Sequence, residues 1–267
     1  MKRMVIWSLA VVMALVAIDF VTASIAEYQV SSHLKTQLSL PEEPAVRING
    51  FPFLTQAAVG DYRKVDVSAE YVGVGALRNV GKFAELYHVH VPLSELFSWS
   101  HGDVTVDSVA SSVLITREDL LKLLSGVNKL TVSPVTDATL DDATINAKDA
   151  VPGSSVTGLD PTEAILLAGD TTVMGQKTGV KVIASMHLTD GQIEVTPEDI
   201  RLTGTDATQL APGTQLGLRR AFSITINPGP LPFSLKPTRL RAVGDGISVS
   251  GTGRAITLAP TTQRSSN

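Results

Sequence analysis

His88 and His90 stand two residues apart in the run Tyr87-His88-Val89-His90-Val91, whose alternation puts both imidazoles on one face of a strand and both valines on the other. Two imidazoles on one face are the start of a metal site. A closed site needs four ligands, however, and the chain has no cysteine and only His33, His101 and His187 besides, scattered along its length. The pair reads as the solvent side of an amphipathic strand, and no metal is expected. Ser100-His101-Gly102-Asp103 holds the residue types of a hydrolase triad, but near neighbours in an extended chain rarely converge as a triad must. It reads as a polar turn after Trp99. Gly-x-Ser-x-Gly, P-loop, Rossmann and zincin signatures do not occur, so neither an enzyme nor a cofactor is expected.

Cations offer a second kind of chemistry. Arg63-Lys64, Arg219-Arg220, and Lys236 with Arg239 and Arg241 are groups of the type that meet phosphate, arginine through its planar fork and lysine as a point charge. Singly, each reads as ordinary surface charge. Arg219-Arg220 differs because Leu216 and Leu218 precede it and Ala221, Phe222 and Ile224 follow. Cations beside apolar surface are what an amphiphilic ligand or a membrane interface requires. The net charge of -4 supplies no footprint for nucleic acid, and none is expected as a partner.

The elements that would position these groups are mostly strands. Hydrophobic residues make up 43% of the 267, aromatic residues only 5%, so the apolar mass is aliphatic and favours sheet over disorder. The N-terminus is different: Lys2 and Arg3 precede an apolar run over residues 4–18, broken only by Ser8 and continued over 20–26 with Asp19 as its one charge. Ser24 and Ala26 suit cleavage after Ala26, while the whole run is long enough to serve as an anchor. Residues 1–26 are therefore a signal peptide or a signal anchor, and both readings stay open. In either case the basic start holds the N-terminus in the cytoplasm and places the body outside, on the periplasmic side of the cell membrane.

After Ala26 a helical spacing continues, with Val30, Leu34 and Leu38 on one stripe and Glu27, Ser31 and Lys35 on another, until Pro41 stops it. From Val46 onward, alternation at Val65/Val67, Val89/Val91/Leu93 and Val104/Val106 predicts antiparallel strands. Asp190-Gly191 and Asp245-Gly246 predict hairpins over 180–195 and 240–249. Thr116 caps a short helix that ends near Gly126, and a second helix is expected over 161–167. The stretch 131–158 reads as loop with little core, residues 27–259 as one domain, and 260–267 as a disordered tail.

The segment Ile48-Asn49-Gly50-Phe51-Pro52-Phe53-Leu54-Thr55-Gln56, followed by Gly60-Asp61-Tyr62 and the Val65/Val67 strand, resembles the signature of the LmeA-like phospholipid-binding family of actinobacterial envelope proteins. Val91-Pro92-Leu93-Ser94-Glu95-Leu96, Asp119-Leu120, Leu231-Pro232-Phe233 and the run from Gly246-Ile247 to Gly251-Thr252-Gly253 extend the resemblance over nearly all of the chain beyond the anchor. It implies an α+β fold, a curved antiparallel sheet wrapped around a helix as in tubular lipid-binding (TULIP/BPI-like) modules. It also implies binding of anionic phospholipid, phosphoinositides included, and support of lipoglycan (lipomannan) assembly in the cell envelope.

Read from the residues, Gly50 permits a backbone path closed to larger side chains, Pro52 keeps the chain extended, and Phe51 and Phe53 deliver two large apolar surfaces. Core packing is the plainer use of these rings; lining a lipid groove is the sharper one. The candidate lipid contacts are Phe51, Phe53, Arg219, Arg220 and Phe222. The main expectation is a non-catalytic lipid-binding protein at the membrane. The alternative is a scaffold that holds a membrane glycosyltransferase as its partner.

Overall fold

A computed structural model describes residues 2–38, 40–92, 94–95, 104–173, 175–203, 210–244 and 246–258. In chain order the elements are α1 (Lys2–Leu38), β1 (Ala45–Asn49), α2 (Phe53–Val59), β2 (Asp61–Val74), β3 (Leu77–His90), β4 (Val104–Thr116), α3 (Arg117–Leu123) and β5 (Val127–Pro134). There follow α4 (Asp137–Ile145), β6 (Ala164–Val173), β7 (Gln176–Thr189), β8 (Gln192–Leu202), α5 (Pro212–Phe222), β9 (Ile224–Ile226), β10 (Arg239–Val243) and β11 (Gly246–Leu258). The strands form two sheets, ordered β1-β2-β3-β4-β11-β10 and β5-β6-β7-β8-β9. Helices with antiparallel sheet, behind a long apolar N-terminal helix, give the α+β class expected of a tubular lipid-binding fold. The chain divides into two units, residues 1–72, 82–111 and 252–267 in the first and 73–81 and 112–251 in the second.

In the first unit α1 runs unbroken through Ala26, the expected cleavage point, and ends short of Pro41. Residues 3–15 are exposed on every side, whereas Asp19, Ala26 and Ser31 are buried. Asp19 and Ala26, seven residues or about two turns apart, share one face, which is kept against the unit. β1 pairs antiparallel with β2, from Ala45 opposite Ser68 to Asn49 opposite Lys64. In β3 the expected alternation holds: Val89 is buried and His88 exposed.

The second unit is a filled core. One cluster gathers Ile115, Leu120, Ile165, Leu167, Val182, Met186, Ile200, Phe222, Ile226 and Ile247 with their neighbours. A smaller one joins Val135, Ala143, Val156, Ala164 and Ile183. Val182 and Ile183 thus go to different clusters, so β7 is covered on both faces. The strand β6 beside it corrects the helix expected over 161–167. Asp160 caps only a single 3-10 turn over Pro161–Glu163, and Ala164 then starts the strand. A doubly covered strand reads as a continuous apolar run, which periodicity alone cannot separate from a buried helical segment. The stretch 131–158 is likewise richer than expected, with α4 capped by Thr136 and a cluster of its own.

Local signals fare better. Asp190 and Gly191 turn β7 into β8 with φ of 51° and 78°, as their types require. Thr116 caps α3 by accepting the Asp119 N–H at 3.4 Å. The other hairpin forms over the expected 240–249, with Leu240 opposite Val249, but Val243 pairs with Gly246, so Gly246 belongs to β11 and not to the turn, while Asp245 lies outside the described residues. A Cβ at Gly246 would collide with the Ile115 carbonyl, so close backbone approach explains this glycine. The Ser100-to-Asp103 tetrapeptide and the tail over 260–267 also lie outside the described residues.

Candidate functional site

The corner over residues 50–60 is held by side-chain hydrogen bonds from Gln56 and Asp19 to its backbone. Gly50 has φ of +110°, and a side chain there would meet the Gln56 amide at 3.0 Å. Gln56 is buried and donates from Nε2 to the Gly50 carbonyl at 3.0 Å, while its Oε1 accepts the Arg63 N–H at 3.0 Å. It therefore ties the entry of α2 to the start of β2. Pro52 is extended, as expected, and the Phe51–Pro52 peptide is cis.

No side chain of the corner itself caps the first turn of α2; Asp19, thirty-four residues earlier in α1, does so. Its carboxylate accepts the Phe53 N–H at 2.9 Å and the Leu54 N–H at 2.8 Å. Asp19 is only 4% exposed, so these donors supply the compensation that a buried charge needs. Two more contacts follow along α1. Glu27 accepts the Ile48 N–H at 2.8 Å, and the Ser31 hydroxyl donates to the Pro44 carbonyl at 2.6 Å. The chain from Pro44 to Phe53 thus descends alongside α1, with α2 at the end nearer the free apolar segment.

The two rings of the corner part company. Phe53 is 1% exposed and packs on Tyr62 with ring centroids 6.0 Å apart. Phe51 is 54% exposed and stacks on Phe20 of α1 at 6.1 Å. Around this stack lies an apolar surface. Phe20, Val21, Ser24, Ile25 and Tyr28 line an open depression of about 400 Å³, and Leu54 and Val59 are exposed on α2. A more polar depression of about 590 Å³ lies where α2 ends, between Ala57, Gly60, His90 and Pro92.

The expected basic contacts belong to the second unit. Arg219 is held by two carbonyls, Pro152 at 3.1 Å and Pro197 at 3.5 Å, and so ties α5 to its neighbours. Arg220 is exposed, and its guanidinium makes no hydrogen bond among the described residues. Phe222 is fully buried in the large cluster. In the first unit Lys64 is engaged by Glu85 at 2.9 Å and Asp66 at 3.2 Å, and the Glu85 and Asp66 carboxylates hold its ammonium pKa above the ordinary value. Arg63 beside it is exposed.

Neither histidine of the pair is isolated: His88 Nδ1 donates to Asp61 at 3.2 Å and His90 Nε2 to Asp107 at 3.1 Å. No group of three or more His, Cys, Asp or Glu that could hold a metal ion occurs among the described residues.

One further carboxylate organises the second unit. Asp119 is buried and accepts the N–H groups of Asn79 at 2.7 Å and Arg78 at 2.9 Å, with the Lys122 ammonium at 3.0 Å. Burial opposes its ionisation, but the Asn79 N–H, the Lys122 ammonium and the Arg78 N–H together hold its pKa below the ordinary carboxylate value.

A family model for LmeA-like phospholipid-binding proteins matches residues 17–252. The chain belongs to the LmeA-like phospholipid-binding family. Membership supports phospholipid binding, and the matched span begins inside α1, two residues before Asp19, so the LmeA-like body includes the helix that caps α2. No curated protein and no solved structure matches the chain. Sequence reading missed Asp19 as a structural residue, although a lone acid in an apolar run was the signal that could have found it.

Proposed function

We propose that this protein is a non-catalytic phospholipid-binding protein of the cell envelope that selects anionic lipid, phosphoinositides among them, and supports assembly or maintenance of lipomannan-type lipoglycans. The family match over residues 17–252 supports the phospholipid-binding part of this reading, from which the finer parts extend. The chain stays in the cell membrane through α1, which is retained and not cleaved, because cutting after Ala26 would remove the carboxylate that caps α2. The basic start at Lys2 and Arg3 leaves the body extracytoplasmic. Residues 27–259 and the docked half of α1 act as one lipid-binding module.

Of the expected contacts, Phe51 in the first unit and Arg220 in the second each have surface to offer a lipid, and Arg63 is a further exposed cation of the first unit, beside α2. Acyl chain lies against Phe51 and phosphate against the Arg63 guanidinium of the same unit, whose charge-assisted bonds favour an anionic head group; Arg220 offers a separate cation on the second unit. Mass spectrometry of lipid retained by the full chain tests the reading, against a control carrying α1 fused to an unrelated soluble domain. Anionic phospholipid enriched over the control, and reduced by Arg63→Gln with Arg220→Gln, is the expected result. Lipid identical to the control's would overturn it and favour the scaffold that holds a glycosyltransferase.

A further inference from the structure

The length of α1 that stands free of the body is too short to cross a bilayer. Residues 3–15 are exposed all round, and at 1.5 Å per residue they reach roughly 20 Å, whereas the hydrocarbon core is about 30 Å thick. The apolar surface does not stop there. Ile18, Phe20, Val21 and Ile25 remain exposed on the docked half of the helix, away from the buried Asp19, and carry the apolar stripe to a total of roughly 33 Å. Covering that stripe brings the bilayer up to the level of α2, because Asp19 bonds to Phe53 and Leu54 and fixes α2 at that height. Phe51 is already stacked on Phe20 there, and Leu54 is 39% exposed.

We propose that Phe20, Phe51 and Leu54 form a shelf that is immersed in the outer part of the bilayer, so that the first unit is seated in the membrane and not tethered above it. This inference rests on the reading of α1 as a membrane helix. The partner is a phospholipid bilayer, since the shelf continues the apolar face of the span without a polar break in level. The ladder of contacts along α1 supplies the direction. Asp19 meets Phe53, Glu27 meets Ile48 and Ser31 meets Pro44, so Ser68, opposite Ala45, and the exposed Glu70 after it lie well up the helix on the water side. The shelf holds its lipid-binding corner at the interface, where an exchanged phospholipid need not cross water.

The chain has no cysteine, so single cysteines can carry a fluorescent probe. Leu9→Cys, Ile25→Cys, Leu54→Cys and Glu70→Cys are labelled in the full chain and reconstituted in vesicles of phosphatidylcholine with phosphatidylglycerol. Leu54→Cys keeps the backbone N–H that Asp19 accepts, so the corner survives the substitution. Nitroxide lipids are expected to quench the probes at Leu9, Ile25 and Leu54, with Leu54 most sensitive to a nitroxide near the head group. Aqueous iodide is expected to quench only Glu70. Lipid quenching at Leu9 with iodide quenching at both Leu54 and Ile25 would overturn the shelf and show a bilayer thinned around residues 3–15. Iodide quenching at Leu9 as well would remove the membrane reading of α1 and the shelf with it.

Discussion

The second unit closes its apolar residues in, and the first leaves a good part of them out. Between β6, β7 and β8 nearly every aliphatic side chain is buried in one of two clusters, and even the lone aromatic of α5, Phe222, is wholly enclosed. In the first unit the same residue types divide: Phe53 and Tyr62 pack inward while Phe20, Phe51, Leu54 and Val59 face out. Each unit also uses one buried carboxylate to cap backbone N–H groups distant in sequence, Asp119 for Arg78 and Asn79 and Asp19 for Phe53 and Leu54. Similar stabilising devices therefore serve an enclosed core in one case and an exposed apolar surface in the other.

The contrast breaks most sharply under truncation of the enclosed ring. Phe222→Ala should cost about 3–5 kcal/mol, seen as a lowered Tm without lipid, because a large side chain leaves a cavity. Phe51→Ala, at an exposed ring, should hardly move the Tm yet weaken lipid capture. Equal losses of stability from both would erase the distinction between the units.

Next in size is Asp119→Ala, which strands two donors and should cost roughly 3 kcal/mol in chemical denaturation. Because folding holds the Asp119 pKa below its unfolded value, its contribution is present above the unfolded carboxylate range and fades as pH falls through the folded pKa. Wild-type stability should therefore drop in acid more steeply than that of Asp119→Asn. Parallel pH profiles for the two would remove Asp119 from this role.

Asp19→Ala should be milder, about 1–2 kcal/mol, as for the loss of a helix cap. Its signature is local: the amides of Phe53 and Leu54 should exchange hydrogen roughly tenfold faster or more, while those of β7 should not change. Smallest is Tyr62→Phe. The Tyr62 hydroxyl is buried with no partner among the described residues, so its removal should leave stability unchanged or slightly raised in a melting curve.

Much of the fold was legible where a few neighbouring residues decide it. The Asp190-Gly191 turn, the Thr116 cap and the alternation through Val89 each depend on local backbone preference. The resemblance was legible for the same reason, since Gly50, Gln56 and Gly60 serve one compact corner. Reading failed at 161–167, where coverage of both faces of β6 erased the alternation. It also failed at Gly246, whose constraint is the Ile115 carbonyl and not a turn. Of the candidate contacts, Arg219 had a cation's chemistry in the sequence, but its two carbonyl partners, Pro152 and Pro197 of β8, lie far along the chain.

The sequence by itself determined that a long apolar helix leads the chain behind two basic residues, that strands follow, and that the corner over residues 50–60 marks a phospholipid-binding family. Composition and short-range sterics suffice for those. Only the tertiary structure decided that Phe53 turns inward while Phe51 turns out, and that Asp19, the one acid in the apolar run before Glu27, holds α2 in place. Asp19 meets α2 across more than thirty residues, and the rings are sorted by what packs on them, so the cost of burying a charge or a ring is settled by what lies against it in space.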